Sequence, residues 1–394
     1  MKLYKTCYFI SIAFLILVLT ACNKEENPRL EVLTKTPSTA AISTDINSGG
    51  IITGDEGASI TEKGVCWSET ENPTIEDNKE SVETTSNEYT VTITGLEKSK
   101  TYFIKAYLIS DSKTIYGNQK TMEVTGEVGF LPDPEDGKEW TIQPKFTNEF
   151  NYDQGKASPE FTDNWKDMFI NPWTGPGKTV FTPSHSSIVD GQLVYKATVV
   201  GQTVQTGCIS SIETVGYPLY MEARVKASES VLASGVWLLS PDSEQEIDNL
   251  ETYGDKTNDY FSERLHLSHH TFIRQPFQDY QPTGPETWYT DGNGTKWADA
   301  FHNYGVLWED PWSLSYYVDG KLVRTTPEDE IDPLDFTEGT GLNKNMHLLI
   351  SAEAQPWREE TNPAQVADFL TDPSVLDSDR STMRVDWIRV YKPE

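Results

Sequence analysis

Residues 246–251 combine three acidic side chains at a spacing that suits acid–base chemistry. Glu246, Asp248 and Glu251 lie in this stretch, directly after an apolar run and a short polar turn. Apolar and acidic residues alternate through Ile247, which predicts a strand with one buried face and one acidic face. Glu246 and Asp248 then project from the same face, because side chains alternate along a strand with a period of two.

Glu251 needs a break in the strand to join the other two acids. It follows Glu246 by five positions, so a regular strand would turn it to the opposite face. One extra residue at Asn249 or Leu250, a β-bulge, brings it back beside them. Like charges this close cannot all ionise freely, so we expect at least one of the three pKa values to rise.

Such a set of carboxyl groups suits glycoside hydrolysis, in which one carboxylate attacks the anomeric carbon and a protonated partner donates to the leaving oxygen. Retaining enzymes place these two groups about 5–5.5 Å apart. We assign Glu246 as the nucleophile and Glu251 as the general acid/base. Asp248 would hydrogen-bond the nucleophile and help to separate the two pKa values.

A solvated acidic strand is the alternative interpretation of the same pattern. In so acidic a chain, the spacing E-x-D-x-x-E is expected about once by chance. A near-copy occurs at 330–335, where Pro333 cannot donate to a sheet ladder. We therefore predict that this second copy is a surface loop.

The N-terminal residues predict export. A basic start and a short apolar core precede residues 19–22, which resemble a bacterial lipobox. We predict a lipoprotein signal peptide over 1–21, lipidation at Cys22 and a tether over 22–29. The alternative is an ordinary secretory signal with an incidental cysteine. The Lys-plus-acidic sequence after the cysteine resembles the export tag of Bacteroidetes surface lipoproteins, which implies an outer-membrane lipoprotein at the cell surface.

Net charge limits the kinds of binding partner, and the cysteine positions indicate whether disulfides form. The formal net charge of −29 and the pI near 4.5 argue against nucleic acid and anionic lipid, because the protein's field repels polyanions. Membrane contact is expected only through the N-terminal lipid, and a neutral glycan suits the chain better than a sulfated one. Cys66 and Cys208 fall in different predicted domains, so both are expected to be free and buried.

Composition divides the exported chain into three parts. Short strand-like runs between turn residues predict a small all-β domain over 30–125. Leu96 and Tyr102 stand in a stretch that resembles fibronectin type III domains, including their tyrosine corner. A Gly, Pro and acidic linker follows over 126–139. The strand-like runs of the first domain are 32–36, 64–68, 89–94, 101–109 and 114–124.

The remaining residues, 140–394, predict one large β-sandwich. Runs such as 220–226 alternate apolar and polar residues, and the chain has few helical patterns. Many evenly spaced strands favour an all-β jelly roll over a parallel-sheet fold. The predicted fold class is therefore all-β, a jelly-roll sandwich preceded by a small immunoglobulin-like or fibronectin type III-like sandwich.

Aromatic and polar residues suited to a sugar chain surround the acidic strand. Aromatic faces stack on pyranose rings, while polar side chains fix the hydroxyl groups. The parity of 264–270 puts His266 and His270 on one polar face, and Trp237 belongs to the neighbouring strand. Each of these residues also has a structural alternative, as a loop anchor or a buried histidine. The candidate substrate contacts are Trp173, Trp237, His266, His270, Arg274 and Glu353.

These residues and four further stretches make the C-terminal domain similar to glycoside hydrolase family 16, and within it to the β-agarases. The family's acidic motif stands here at 246–251, with Asn249 where the family has an aliphatic residue. The resemblance implies a curved two-sheet jelly roll with an open cleft. It also implies retaining endo-hydrolysis of the β-1,4-galactosidic bonds of agarose or a related red-algal galactan. The other stretches are 206–211, 217–226, 266–280 and 385–391.

The resemblance implies that catalysis requires no cofactor. It raises a structural calcium on the convex face, with Glu149 and Asp386 as candidate ligands, and no other metal site is predicted. A monomer is expected. The alternatives are a β-porphyranase or another family 16 hydrolase on the same fold, or a non-catalytic surface glycan-binding lipoprotein.

Overall fold

The computed structural model of the protein describes residues 29–39, 45–55, 57–97, 100–124, 129–134, 137–361, 372, 375 and 378–394. The predicted signal peptide, the lipidation site Cys22 and all of the tether except its last residue lie outside these residues. Parts of the predicted linker do so as well. No helix within the described part of the chain is both long enough and apolar enough to cross a membrane.

The N-terminal strands form two antiparallel sheets around one core. One sheet has the order β1-β3-β2 with β6 beside β3, and the other has the order β5-β4-β7-β8 with β9 beside β7. The Tyr102 hydroxyl accepts a hydrogen bond from the Glu97 N–H at 3.1 Å, as a tyrosine corner does. The strands are β1 (Glu31–Thr34), β2 (Ser38–Thr39), β3 (Ile46–Thr53), β4 (Ile60–Ser68), β5 (Asn78–Ser81), β6 (Glu88–Ile93), β7 (Lys100–Ser110), β8 (Lys113–Tyr116) and β9 (Lys120–Val124).

One strand prediction in this unit is wrong. The run 114–124 contains two strands rather than one, because β8 pairs with the end of β7 and β9 pairs with its beginning. The chain therefore shifts along β7 between the two segments. The domain bounds themselves stay a prediction.

Two larger sheets form the second unit. The first, which we call the outer sheet, has the strand order β13-β14-β28-β18-β24-β25-β26, with β10 beside β28. The second, the cleft sheet, has the strand order β11-β17-β27-β19-β20-β21-β22, with β23 beside β21. A small sheet, β12-β16-β15, adjoins them. The strands are β10 (Trp140–Ile142), β11 (Trp165–Lys166), β12 (Thr179–Phe181), β13 (Ser186–Val189), β14 (Gln192–Lys196), β15 (Thr198–Val200), β16 (Thr203–Thr206), β17 (Cys208–Ser211), β18 (Leu219–Lys226), β19 (Ala233–Leu239), β20 (Gln245–Tyr253), β21 (Leu265–Arg274), β22 (Phe277–Tyr280), β23 (Trp288–Tyr289), β24 (His302–Asp310), β25 (Ser313–Val318), β26 (Lys321–Thr326), β27 (His347–Glu353) and β28 (Thr382–Pro393).

Alternation places the core between these two sheets. Met221, Ala223 and Val225 on β18 are fully buried, as predicted, and they share one core with Ile247 and Leu250 of β20. Burying such side chains contributes about 1.5–3 kcal/mol each. The packed antiparallel sheets confirm the all-β prediction.

Helices contribute little to this sandwich. The short α-helices are α1 (Pro159–Thr162), α2 (Asp259–Ser262), α3 (Glu328–Ile331) and α4 (Pro356–Thr361), with 3-10 turns at Gly155–Ala157, Pro183–His185, Pro285–Thr287 and Asp379–Ser381. The prediction of a surface loop over 330–335, the second acidic copy, is wrong for the first residues of that stretch. Ile331 ends α3 and is fully buried, and Asp332 accepts the Phe336 N–H at 2.9 Å.

The described part of the linker packs against the exterior of the outer sheet. The Phe130 ring lies 5.1 Å from the Tyr317 ring, and its N–H donates to Glu222 Oε1 at 3.3 Å. A Cβ atom on Gly129 would meet Glu222 Oε2 at 2.2 Å, so a larger residue needs movement there. Burial beneath this strap raises the pKa of Glu222 to about 7.

Candidate active site

Strand β20, which carries the three acids, contains the predicted β-bulge. Leu250 lies opposite Val236 of β19, and Asp248 lies opposite Trp237, so Asn249 has no partner on that strand. The pairing with β21 also shifts between Asp248 and Glu251. Two residues of β20, Asn249 and Leu250, thus lie opposite the single residue Leu267 of β21, which returns Glu251 to the face of the other acids.

Asn249 points into the sandwich rather than into the cleft. Its side chain is fully buried, and its Nδ2 donates to the Tyr304 carbonyl of the outer sheet at 2.9 Å. Because a buried donor without a partner costs free energy, this bond offsets part of the cost of a polar bulge residue. An aliphatic residue could not make the inter-sheet bond.

An open cleft of about 940 Å³ crosses the cleft sheet above the bulge. Every acid and every candidate substrate contact predicted from the sequence lines this cleft. Other residues also line the cleft although the sequence did not single them out. Trp288 is one of them. The predicted set consists of Glu246, Asp248, Glu251, Trp173, Trp237, His266, His270, Arg274 and Glu353.

Glu251 is held by two hydrogen bonds. The Tyr253 hydroxyl donates to Oε1 at 2.5 Å, and His266 Nδ1 donates to Oε2 at 2.6 Å. Burial alone would raise the pKa of Glu251, but these two bonds and the charge of His266 outweigh it and hold the pKa below its ordinary value. The His266 ring is itself fixed, because it stacks on Trp288 with 4.5 Å between centroids.

The raised pKa values belong to the other two acids. Burial, then the charge of Asp248, raises the pKa of Glu246 well above its ordinary value. Burial also raises the pKa of Asp248 to about 6, and the charge of His270 and, to a smaller extent, a hydrogen bond with Glu246 partly offset this. At least one pKa rises, as expected, at Glu246 and Asp248 rather than at Glu251, but burial contributes more to this rise than the neighbouring charges do.

His270 supplies the positive charge beside this pair. Its Nε2 lies 3.9 Å from Glu246 Oε1 and 3.6 Å from Asp248 Oδ2, and its Nδ1 donates to Asp279 Oδ1 at 2.8 Å. Burial alone would lower the pKa of His270, but the bond to Asp279 and the two acids raise it to about 10. The imidazolium therefore faces the nucleophile at neutral pH.

A chain of hydrogen bonds joins Trp237 to Glu353 across the cleft floor. Trp237 Nε1 donates to Ser351 Oγ at 3.0 Å, and that hydroxyl donates to Glu353 Oε1 at 2.7 Å. Gln355 Nε2 donates to the other oxygen of Glu353 at 2.8 Å. Burial raises the pKa of Glu353 to about 7, so this group can carry a proton and donate to a sugar hydroxyl.

Aromatic residues border both ends of the cleft. Trp173 is 45% exposed and packs edge-on against Phe169 with 4.8 Å between centroids, which leaves a ring face open. At the other end, the Arg274 guanidinium lies 5.0 Å from the centroid of Phe272 and 5.7 Å from that of Phe277. Phe277 is 63% exposed, and the sequence analysis missed it, although it follows Arg274 in a short hairpin.

The two candidate calcium ligands each face an arginine. Glu149 accepts two hydrogen bonds from Arg389 at 2.8 and 3.0 Å, and Asp386 accepts one from Arg224 at 3.1 Å. Neither carboxylate belongs to a cluster of three metal-binding side chains within the described residues. A structural calcium stays a prediction. The cysteine prediction is confirmed, since Cys66 and Cys208 are free and buried.

A two-sheet sandwich that carries a row of carboxyl groups in an open cleft has the architecture of a glycan-processing jelly roll. Residues 140–393 match the family described as "Beta-porphyranase A-D, GH16 domain". The protein therefore belongs to glycoside hydrolase family 16, as the sequence resemblance implies.

Several curated relatives share this domain. Beta-agarase AgaA of Microbulbifer thermotolerans is 50% identical over 267 residues, which cover 66% of this chain and 60% of the relative. A beta-agarase of Phocaeicola plebeius is 44% identical over 277 residues, which cover 65% of this chain and 86% of the relative. The alignment thus spans less than two thirds of the length of the first relative.

Solved structures share the fold. Beta-agarase A from Zobellia galactanivorans is 42% identical and superposes with a TM-score of 0.62, which covers 67% of this chain and 96% of the solved chain. A beta-porphyranase from Bacteroides plebeius is 22% identical with a TM-score of 0.51, so it speaks for the fold alone. These matches confirm the predicted jelly roll.

Proposed function

We propose that the protein is a retaining endo-β-agarase that cleaves the β-1,4-galactosidic bonds of agarose. The observation that carries this proposal is the row formed by Glu246, Asp248 and Glu251 on the floor of an open cleft. An open cleft suits attack within a long chain, because both ends of the polymer can extend beyond it. The similarity to beta-agarases at 42–50% identity supports the same activity.

Charge in the cleft favours a neutral galactan over a sulfated one. Among the described residues that line the cleft, Arg274 is the one lysine or arginine, whereas five carboxyl groups line it. The charged head of Arg274 lies over two phenylalanine rings. A sulfate ester would therefore meet a mostly negative surface. The relative named as a beta-porphyranase is also more distant, at 23% identity.

In the first step, Glu246 attacks the anomeric carbon of the galactose at the cleavage point. The bond from this carbon to the glycosidic oxygen breaks, and that oxygen takes a proton from Glu251. Glu246 and Asp248 share protons as a coupled pair. When Asp248 holds the proton, it donates to Glu246, and the nucleophile remains an anion beside the His270 imidazolium.

Glu251 must receive its proton before this step, since its bonds to His266 and Tyr253 favour the carboxylate in the free protein. We assign the loading to His266. A sugar chain that fills the cleft removes water from the ion pair, and desolvation disfavours both charges. A proton on the His266 imidazolium can then pass along the hydrogen bond from Nδ1 to Glu251 Oε2, whose two heavy atoms are 2.6 Å apart, and this leaves a neutral pair.

In the second step, Glu251 acts as a base. It removes a proton from water, the oxygen of that water bonds to the anomeric carbon, and Glu246 departs as a carboxylate. Two inversions at one carbon give net retention. Side chains of this chain carry both proton transfers and the attack, so the proposal includes no cofactor.

The experiment is a comparison of two serine variants with azide rescue. Glu246→Ser and Glu251→Ser should fold normally and lose activity on agarose by several orders of magnitude. Azide should rescue the Glu251 variant with a β-glycosyl azide product and the Glu246 variant with an α-glycosyl azide product. Unchanged turnover in either variant would remove the assignment. Sizing the products from agarose, porphyran and laminarin tests the substrate, and no product from any of them would favour a glycan-binding protein.

We also propose that the protein is a monomeric surface lipoprotein, anchored through Cys22. The lipobox-like residues 19–22 and the acidic tag after them support this location. In the producing cell, Cys22→Ala should release the protein from the membrane fraction. Equal membrane retention of the variant would contradict the anchor.

A further inference from the structure

One cluster of side chains in the described residues has the donor set of a transition-metal site. Glu246, Asp248 and His270 each offer one donor atom, and the three atoms lie within 4.8 Å of one another. His270 Nε2 is 3.6 Å from Asp248 Oδ2 and 3.9 Å from Glu246 Oε1. Tetrahedral zinc with bonds of about 2.0–2.1 Å separates its ligands by about 3.3 Å, so the two distances from His270 Nε2 must shorten by about 0.3 and 0.6 Å.

A second observation points to a ligand at the same place. Asp248 is only 8% exposed, and its Oδ2 is a buried atom with no hydrogen-bond partner among the described residues. This is the oxygen that faces His270 Nε2. A buried carboxylate oxygen without a donor is costly, and a bound cation would satisfy it.

The far side of His270 is arranged as in metal-ligating histidines. Asp279 Oδ1 accepts the Nδ1 proton at 2.8 Å, so Nε2 is the ring nitrogen that faces the cluster, and a metal ion would displace the proton that Nε2 carries at neutral pH. The ring also stacks on Phe272 with 5.2 Å between centroids and 12° between planes. Such a carboxylate behind a histidine orients the ring and increases metal affinity by about 10–100-fold.

We propose that Glu246, Asp248 and His270 form a binding site for a divalent transition-metal ion such as Zn²⁺, with Asp279 as the positioning residue. An imidazole nitrogen with two carboxylates suits zinc or copper and discriminates against magnesium and calcium, which prefer oxygen ligands. The open cleft leaves the fourth position to water.

The consequence for activity depends on the proposed function. A metal ion bound to Glu246 occupies the lone pair that attacks the sugar, and it fills the space of the reacting galactose. Zinc and glycan should therefore compete, so that zinc raises KM and excess substrate restores the rate. Zinc binding and the protein's hydrolase activity can be measured separately.

In the experiment, ZnCl₂ is titrated by calorimetry into the full exported chain, purified without a histidine tag. The unmodified protein and the variant Glu251→Gln are compared. Both should bind one ion with the same affinity, because Glu251 is outside the cluster. Asp279→Asn should weaken binding about 10–100-fold, and His270→Asn should weaken it more. Co²⁺ in place of Zn²⁺ should give the intense visible bands of a low-symmetry site.

A matched control uses a second histidine–carboxylate pair. His302 Nδ1 bonds Asp319 at 2.8 Å, far along the chain from the cluster, so His302→Asn should leave the zinc affinity unchanged. The proposal is overturned by the absence of saturable binding, or by equal affinity in His270→Asn. Saturable binding that depends on His270, in a protein that hydrolyses no galactan, would uphold the site and remove only the proposed function.

Discussion

The substitution His266→Asn distinguishes two roles of His266, namely hydrogen bonding to Glu251 and the supply of a proton to it. An asparagine Nδ2 can take the place of the His266 Nδ1 donor, but its amide protons are far too weakly acidic to be transferred to a carboxylate. The rest of the setting stays, since Tyr253 still donates to Glu251 at 2.5 Å. If His266 only orients Glu251, the variant should retain most of its activity.

The magnitude follows from what the proton does in the first step. General-acid assistance contributes about 10²–10⁴-fold to a rate, whereas loss of one hydrogen bond of about 1.5–3 kcal/mol to a charged group is partly restored by the new amide. We therefore expect kcat on agarose to fall by about 10²–10⁴-fold. The stacking partner Trp288 is half-buried and keeps its contacts with Tyr253 and Phe261, so little loss of stability is expected.

The assay compares two leaving groups. On an aryl glycoside with a weakly basic phenol, the bond breaks without protonation, and the variant should lose less than about tenfold. On agarose, the loss should be large. His302→Asn, which changes a histidine bonded to Asp319, is the control for general effects. Full activity of His266→Asn on agarose, or an equal loss on both substrates, would refute proton loading by this residue.

Three further predictions concern the strand, its bulge and the outer sheet. Asp248→Asn should move the acidic limb of the pH profile of kcat/KM to lower pH, because the charge of Asp248 raises the pKa of Glu246 and the amide has no charge. Asn249→Ala should lower the free energy of unfolding by about 1–3 kcal/mol in denaturant titrations, because the Tyr304 carbonyl loses its donor. Glu222 has its pKa raised from 4.5 to about 7 in the fold, so stability falls as the pH rises through this window. Glu222→Gln should raise the unfolding free energy by about 3 kcal/mol at pH 8 and leave it unchanged at pH 4, and a gain that does not depend on pH would contradict this.

Sequence periodicity predicted the elements that position the acids, because alternation and bulge parity are properties of one strand. It placed Glu246, Asp248 and Glu251 on one face, and His266 with His270 on the facing side of the next strand. It could not predict which acid keeps a proton. That depends on hydrogen bonds that form only in the folded protein, such as the bond from Tyr253 to Glu251 and the bond from His270 to Asp279.

The hydrogen-bond chain on the cleft floor could not be predicted from the sequence for a similar reason. Trp237 and Glu353 were candidates because of their types, but the serine that joins them belongs to β27 and comes 114 residues after Trp237. A serine on a predicted strand carries no signal of its own. Likewise, Asn249 looked only like a departure from an aliphatic position, until the sandwich brought Tyr304 within reach.

Deleting Asn249 tests whether activity depends on the bulge itself or on the placement of the three acids on one face of the strand. On β21, His270 and His266 are four residues apart, whereas their partners Glu246 and Glu251 are five residues apart on β20. Without Asn249 the spacings match, and acidic and apolar residues alternate without interruption. The deletion should therefore fold with all three acids on the cleft face.

Activity on agarose should then fall by about 10²-fold, as a displacement of about 1 Å in the acid/base costs, and far less than in Glu251→Ser. Both variants would be compared by kcat/KM, with circular dichroism as the control for folding. A folded deletion variant as inactive as Glu251→Ser would mean that Glu251 depends on the bulge for more than its choice of face. The reasoning from strand parity would then be wrong.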